Sequence, residues 1–309
     1  MDFNEFKLYV SEEVTRRMGD EYIFSHTYVT KNNGINLTGL NVHRKGNTIS
    51  PTFYLENFYE FYEHGTSVEK IITILVDGYT RYEVNEDVDF GYIGDYQQVK
   101  PKVLCKLINY SKNAELLENA PYIKVMDLAV VFFVLVSHEK MGNGSILIKN
   151  DVFSAWGISL ETLYNDALSN TRELMGFELR DIKSVLINLL VKRSDNGEDV
   201  SELIDQLEKS EEVPMYVLSN KECQYGAVCM LYEDMLLEFA SKIDEDLYIL
   251  PSSVHELIIV PSEGYADPVN LVSMVRQVNA EQVSPDEVLS DNVYRFDRAK
   301  GKVTEAYSA

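Results

Sequence analysis

Residues 247 to 261 read LYILPSSVHELIIVP, two apolar runs that meet across a short polar break. Leu247 to Leu250 and Leu257 to Val260 have the Ile, Val and Tyr content of short buried strands and are bounded by Pro251 and Pro261. A second strand beginning near Ser253 puts Ser253 and His255 on one face of the pleat and Val254 and Glu256 on the other, because strand side chains alternate. On either side, Leu236, Phe239, Ala240 and Ile243, then Leu271, Met274, Val275 and Val278, recur at helical spacing and supply apolar stripes that can lie on a sheet. The stretch marks the core of the C-terminal half.

Working outward, Phe3, Phe6, Val10 and Val14 predict a first helix ending near Gly19. Tyr22 to Thr30, Ile35 to His43 and Thr48 to Leu55 read as strands joined by Asn32-Asn33-Gly34 and Arg44-Lys45-Gly46-Asn47, which predicts an antiparallel meander. Tyr54, Phe58, Phe61 and Tyr62 form an aromatic stripe expected to pack in the core. Thr66 and Glu69 read as a capping box for a helix carrying Ile71, Ile72, Leu75 and Tyr79. Further on, Val103 to Tyr110, Leu128 to Val136, Ser145 to Lys149 and Met215 to Ser219 read as strands. Helices are expected after Ser159, over Ile182 to Leu190, and after Asp267-Pro268 and Ser284-Pro285. Strands cluster between capped helices without regular βαβ alternation, so the expected fold class is α+β. The expectation is an N-terminal meander with helices over 1–90. A domain at 91–309 then carries a mixed or antiparallel sheet with helices packed on one side, and a charged surface excursion at 192–213.

Composition bounds the function. A formal net charge of -22, from 50 acids against 28 bases, opposes contact with a phosphate backbone, so direct nucleic-acid binding is not expected. The opening MDFNEFKLYVSEEV lacks a basic segment followed by an apolar run, and the longest apolar run, Leu128 to Val136, is far short of the ~20 residues of a spanning helix. Neither secretion nor a membrane is expected. Cys105, Cys223 and Cys229 have no C-x-x-C spacing and leave one unpaired, which suits buried thiols in a reducing cytoplasm.

The densest candidate chemistry is Ser252, Ser253, His255 and Glu256. A Ser-His catalytic pair needs a base within reach of the hydroxyl and a third group to orient the imidazole, and no G-x-S-x-G elbow is present. The same residues also suit a turn in which hydroxyls and imidazole bond local backbone. His138-Glu139 has no second His of an H-E-x-x-H motif and the five histidines are scattered, so no metal is expected. Ser67-x-x-Lys70 and Ser290-Asp291-Asn292 match two elements of the serine penicillin-recognising enzymes, but the K-T-G element is missing. Gly142-x-Gly144 lacks the third glycine of a dinucleotide fingerprint and there is no phosphate loop, so no cofactor is expected. Acids cluster at Glu83/Glu86/Asp87/Asp89, from Asp195 to Glu208, and at Asp244/Glu245/Asp246, which reads as a solvated face or, more sharply, as a DNA-mimicking surface.

The blocks PMYVLSN (Pro214 to Asn220), YGAVCMLY (Tyr225 to Tyr232), LYILPSSVHELIIVP, MVRQVNAEQV (Met274 to Val283) and EVLSDNVYRFDR (Glu287 to Arg298) resemble an uncharacterised bacterial family, a domain of unknown function common in gut anaerobic Firmicutes. NNGINLTGLNV and ISPTFYLENFYEFYEHG resemble the same family's opening. The resemblance implies a bacterial cytoplasmic protein, sometimes carried on mobile elements, and brings no activity, cofactor or catalytic residue. Three functions are expected to compete. The first is a non-catalytic protein-interaction or regulatory module with a protein partner. The second is a hydrolase-like enzyme using Pro251 to Glu256, with Ser290, Asp291 and Arg295 as candidate ligand contacts. The third is an acidic DNA mimic acting on a basic partner.

Overall fold

Capping, apolar spacing and turn residues account for most of the elements in the computed structural model, which describes residues 1–46, 50–82, 91–138, 142–194, 200–209, 214–263 and 268–307. Thr48, the acids from Glu83 to Asp89, Glu139, Asp195, Glu198, Asp199 and Asp267 lie outside the described residues. The chain divides into two compact units, one of residues 1–99 with 134–146 and the other of residues 100–133 with 147–309.

In the first unit, α1 (Phe3–Met18) starts at a capping box. Asp2 accepts from the Glu5 N–H at 2.9 Å, and the Glu5 carboxylate accepts from the Asp2 N–H at 3.1 Å. Phe6, Val10 and Val14 fall on one face and are fully buried, and Gly19 ends the helix at φ 114. Strands β1 (Tyr22–Thr30), β2 (Asn36–Arg44) and β3 (Thr52–Tyr54) form an antiparallel sheet in that order. Asn33, at φ 60, makes the left-handed step between β1 and β2.

Helices α2 (Leu55–Glu63) and α3 (Val68–Arg81) complete the unit's core with Leu55, Ile71, Ile72, Leu75 and Tyr79. The cap of α3 is Ser67, whose hydroxyl accepts from the Lys70 N–H, and not Thr66. The expected aromatic stripe is also rotated: Phe61 is exposed, while Tyr59 turns inward to meet Phe3 and Phe6 edge-on. The buried Tyr79 hydroxyl donates to the Leu40 carbonyl, tying α3 to β2, and burial drives its pKa far above the ordinary value. A short helix α4 (Tyr96–Val99) closes this part of the chain.

The second unit contains β4 (Val103–Asn109), α5 (Ala114–Glu118), β5 (Tyr122–Val125) and the start of β6 (Leu128–His138). The sheet order is β4-β6-β5, and β7 (Gly142–Leu147) pairs with β6. Gly142, Asn143 and Gly144 thus belong to a strand, which begins before the expected Ser145. After α6 (Asn150–Trp156), helix α7 (Leu160–Met175) is capped by Ser159, which accepts from the Thr162 N–H. The buried Thr171 of α7 accepts from the Cys105 N–H of β4 at 2.9 Å, so helix and strand are joined by a polar bond inside the core.

The remaining elements are β8 (Glu178–Asp181), α8 (Ile182–Ser194), α9 (Ser201–Lys209), β9 (Tyr216–Ser219), α10 (Glu233–Ile243), β10 (Leu247–Pro251), β11 (Leu257–Pro261), α11 (Pro268–Glu281), β12 (Val293–Asp297) and β13 (Lys302–Tyr307). The strands form a six-stranded sheet ordered β13-β12-β10-β11-β9-β8, antiparallel at every pairing. Helix α11 covers one face with Leu271, Val272 and Val275 against Leu250, Val260 and Val293. Met274 and Val278, expected in that stripe, are exposed. On the opposite face Leu247, Ile249, Leu257, Ile259 and Phe296 are fully buried, and Tyr216 meets Phe239 of α10 edge-on. Ser284-Pro285-Asp286-Glu287 forms a turn and not a helix start. The architecture is α+β, with an antiparallel N-terminal sheet and a C-terminal sheet packed by helices. Among the described residues no helix is long and apolar enough to cross a membrane.

One ion-pair network in the first unit has a defined pH dependence. Glu13 accepts from Arg16 at 2.6 Å and from Arg17 at 3.1 Å, and Arg17 continues to Glu69 at the start of α3. The bond from Arg16, then that from Arg17, holds the Glu13 carboxyl at about 2 against an ordinary 4.5. A depressed pKa stabilises the fold above the unfolded value and loses that contribution as pH falls through the folded one. Glu13→Gln is therefore expected to flatten the fall in melting temperature between pH 4.5 and about 2. Unchanged curvature in melts across that interval would show that the pairs are too solvated to matter.

Candidate functional site

The polar break between β10 and β11 is not a free loop. β11 begins at Leu257, so Ser253 and His255 do not share a strand face as expected; they lie in a turn. Within it the Ser253 N–H donates to the Glu256 carbonyl at 3.2 Å, and the Ser253 hydroxyl accepts from the His255 N–H at 3.0 Å. Ser252 donates to the Glu256 carboxylate at 3.5 Å. These are the local bonds that Ser and Glu make in turns.

A second segment, Ser219 to Ala227, is threaded against this turn. The buried Asn220 side chain donates to the Gln224 carbonyl at 2.7 Å and accepts from the Gln224 N–H at 3.2 Å, folding the intervening residues into a tight loop. Cys223 and Tyr225 both take left-handed backbone, at φ 51 and 56. The Ser219 hydroxyl donates to the His255 carbonyl at 2.8 Å, and the Ala227 N–H to the Val254 carbonyl at 3.3 Å. Gly226 lies at the crossing. A Cβ there would come within 2.5 Å of the His255 carbonyl oxygen and 2.6 Å of the Asn220 nitrogen, so the backbones approach closer than any side chain permits.

The imidazole of His255 is fixed by the same crossing. Its Nδ1 accepts the Tyr225 N–H at 3.1 Å, which places the proton of the neutral ring on Nε2, facing the Glu287 carboxylate at 3.4 Å. The Tyr225 ring stacks on the imidazole with centroids 5.5 Å apart and 18° between planes. Lys106 of β4 lies 4.0 Å from the Tyr225 ring centre and 5.9 Å from that of Phe133. Lys106, Tyr225, His255 and Glu287 form a row running from cation to anion. The basic nitrogen a general base would use is already occupied by a backbone N–H, and among the described residues no serine hydroxyl bonds to the ring. The hydrolase-like reading draws no support from this geometry.

Ser290, Asp291 and Arg295 join other clusters. Ser290 is fully buried; its hydroxyl donates to Asp127 at 2.6 Å and accepts from the Asn292 N–H at 2.9 Å. The Tyr294 hydroxyl donates to the other oxygen of Asp127 at 2.7 Å, and burial followed by the Asp127 charge raises the phenol well above its ordinary pKa. Asn279 bridges the Ser290 carbonyl and the Asp291 carboxylate, and Lys112 lies 3.6 Å from Asp291. Arg295 pairs with Asp246 at 2.6 Å. From this C-terminal block it is Glu287 that reaches the polar turn, its carbonyl also accepting from the Val254 N–H at 2.8 Å.

Cys105 and Cys229 are buried thiols pushed up to about 12 by desolvation, whereas Cys223 is exposed, against expectation. Among the described residues no group of three or more His, Cys, Asp or Glu side chains could hold a metal ion. The fold and this crossing define an α+β protein whose central hairpin is locked by a second segment. The chain belongs to the family of unknown function DUF5688, which its residues 3–298 match. No curated protein and no solved structure matches it.

Substitutions at two positions measure the lock. Gly226→Ala forces backbone apart and is expected to cost about 1–3 kcal/mol of overpacking. His255→Ala strands the part-buried Tyr225 N–H and should cost about 1–3 kcal/mol, whereas His255→Asn, whose carbonyl oxygen can replace Nδ1, should recover much of it. Urea unfolding is the measurement, and equal losses for the Ala and Asn variants would show that the Tyr225 bond is not what His255 contributes.

Proposed function

We propose that the chain is a non-catalytic protein-interaction module, bacterial and cytoplasmic, whose binding surface is the α8–α9 pair. One observation carries the reading. Between Ile182 and Val191 helix α8 has seven apolar residues, Ile182, Val185, Leu186, Ile187, Leu189, Leu190 and Val191, and none of them is buried. Leu186 is 40%, Leu189 53% and Val191 44% exposed. A helix that is apolar all round belongs in an interior, and at 13 residues this one is too short to find that interior by crossing a membrane. Covering it with a partner returns apolar surface from water to a packed contact.

The neighbouring helix gives the partner's chemistry. On α9 the exposed Leu203 lies beside exposed Glu202 and Asp205, and a groove of about 620 Å3 along this helix is lined by Ser201, Glu202, Asp205, Gln206 and Lys209. With a net charge of -22 behind it, this surface suits a protein segment with an apolar centre and a basic rim, drawn in by long-range attraction.

The test uses the full chain with a photo-cross-linking residue at Leu189, expressed in cells that natively make the protein, with Leu174 as the exposed control position. The expected result is a discrete adduct from 189 only. The partner so identified, once purified, should bind the wild type in a salt-sensitive manner and bind Leu186→Asp/Leu189→Asp about tenfold or more weakly, with the melting temperature unchanged. Equal labelling from both positions, or undiminished binding by the double variant, would remove the proposal.

A further inference from the structure

Strand β1 carries a feature independent of the α8–α9 surface. It is an edge strand of nine residues, Tyr22 to Thr30, paired among the described residues with β2 on one side only. Its sequence, YIFSHTYVT, has no Asp, Glu, Lys, Arg or Pro, and its pairing runs in unbroken register from Tyr22↔Arg44 to Thr30↔Asn36 with no bulge. None of its residues is buried, and Tyr28 is 74% exposed. Edge strands are ordinarily blunted by charge, proline or a bulge, because their free N–H and C=O groups template further pairing. This one has none of these guards.

The flanking bonds show which groups are free. The Lys45 N–H donates to the Glu21 carbonyl at 2.8 Å and the Lys31 N–H to the Ile35 carbonyl at 2.7 Å. In this register the odd-numbered residues of β1 therefore face β2, while Phe24, His26 and Tyr28 direct their backbone groups to the open side. Among the described residues those groups find no backbone partner.

The sequence of the strand also says what fits there. Read outward from His26, it gives Ser25 and Thr27, then Phe24 and Tyr28, then Ile23 and Val29: hydroxyl against hydroxyl, aromatic against aromatic, β-branched against β-branched. Such a strand is self-complementary when a second copy lies antiparallel about a two-fold axis at His26, the condition for an isologous interface. The same register places Glu21 at one end opposite Lys31 of the other copy, so the flanking charges attract. We propose that β1 is a homodimerisation edge, pairing with β1 of a second copy about His26 to make one continuous six-stranded sheet from two three-stranded ones. The hydrogen-bonded positions are Phe24 with Tyr28, His26 with His26, and Tyr28 with Phe24. Exposed apolar side chains Ile23 and Tyr28 then meet Val29 and Phe24 of the other copy, which removes from water the surface a lone edge leaves uncovered.

The experiment is sedimentation of the full chain over a concentration series, with three samples compared: wild type, Ser25→Lys/Thr27→Lys and Ser25→Glu/Thr27→Glu. In the proposed register residues 25 and 27 face each other across the axis, so each double variant sets like charges directly opposite and the mixture sets opposite ones. Wild type should move with concentration towards twice the 35.4 kDa of the single chain. Each variant alone should need about tenfold or more protein to do so, and an equimolar mixture should associate again. Hydrogen exchange on wild type gives a reading that needs no substitution: the Phe24, His26 and Tyr28 amides should gain protection as concentration rises. A wild type that stays monomeric at every concentration overturns the proposal. So do variants that dimerise like wild type, a mixture that does not associate, or exchange at those three amides that ignores concentration.

Discussion

The crossing of Gly226 over the β10–β11 turn is the constraint on which the C-terminal unit depends. Two backbone segments approach there with no side chain between them, and the Tyr225 N–H that holds the imidazole of His255 comes from that approach. A buried backbone group left without a partner costs as much as several good contacts return, so a hairpin connection that dives into the molecule is stable only when a second strand of chain supplies the missing bonds. Ser219, Tyr225 and Ala227 supply them. The left-handed backbone at Cys223 and Tyr225 is what brings that segment round in so few residues.

The same logic explains why so many polar residues lie inside. Asp127 is held by the hydroxyls of Ser290 and Tyr294, the Cys105 N–H by Thr171, and the Asn109 amide by the Leu289 carbonyl. Each bond joins an element to one far away in sequence, and each leaves its members satisfied. Polar groups placed this way specify one arrangement of strands against the alternatives that apolar packing alone would tolerate. His255 follows the same pattern, its Nδ1 lone pair filled by the Tyr225 N–H.

Two features are left uncovered on the outside. Helix α8 keeps its leucines in water, and strand β1 keeps its backbone edge open, each in a different unit of the chain. A strongly acidic chain discourages indiscriminate association, since most of its surface repels a second copy or another acidic protein. Surfaces that lack acids, such as β1, are where that repulsion is locally absent.

The sequence by itself determined the local elements, because their causes are local. Phe6, Val10 and Val14 repeat at the period of a helix, Asn33-Gly34 permits the left-handed turn after β1, Ser159 caps α7, and Leu247 to Val260 alternates two strands around prolines. Charge and composition likewise follow from counting. The tertiary structure alone decided how those elements meet. Nothing in the spacing links Lys106, Tyr225, His255 and Glu287, which come from four separate segments, and Ser253 was nearer His255 in sequence than any of them yet bonds its backbone and not its ring. Periodicity also misassigned faces wherever two apolar stripes overlapped, as at Phe61 against Tyr59 and at Met274 against Val272. A helix with apolar residues on more than one side can turn either one inward, and the choice rests with the surface it packs against, which the helix's own sequence does not contain.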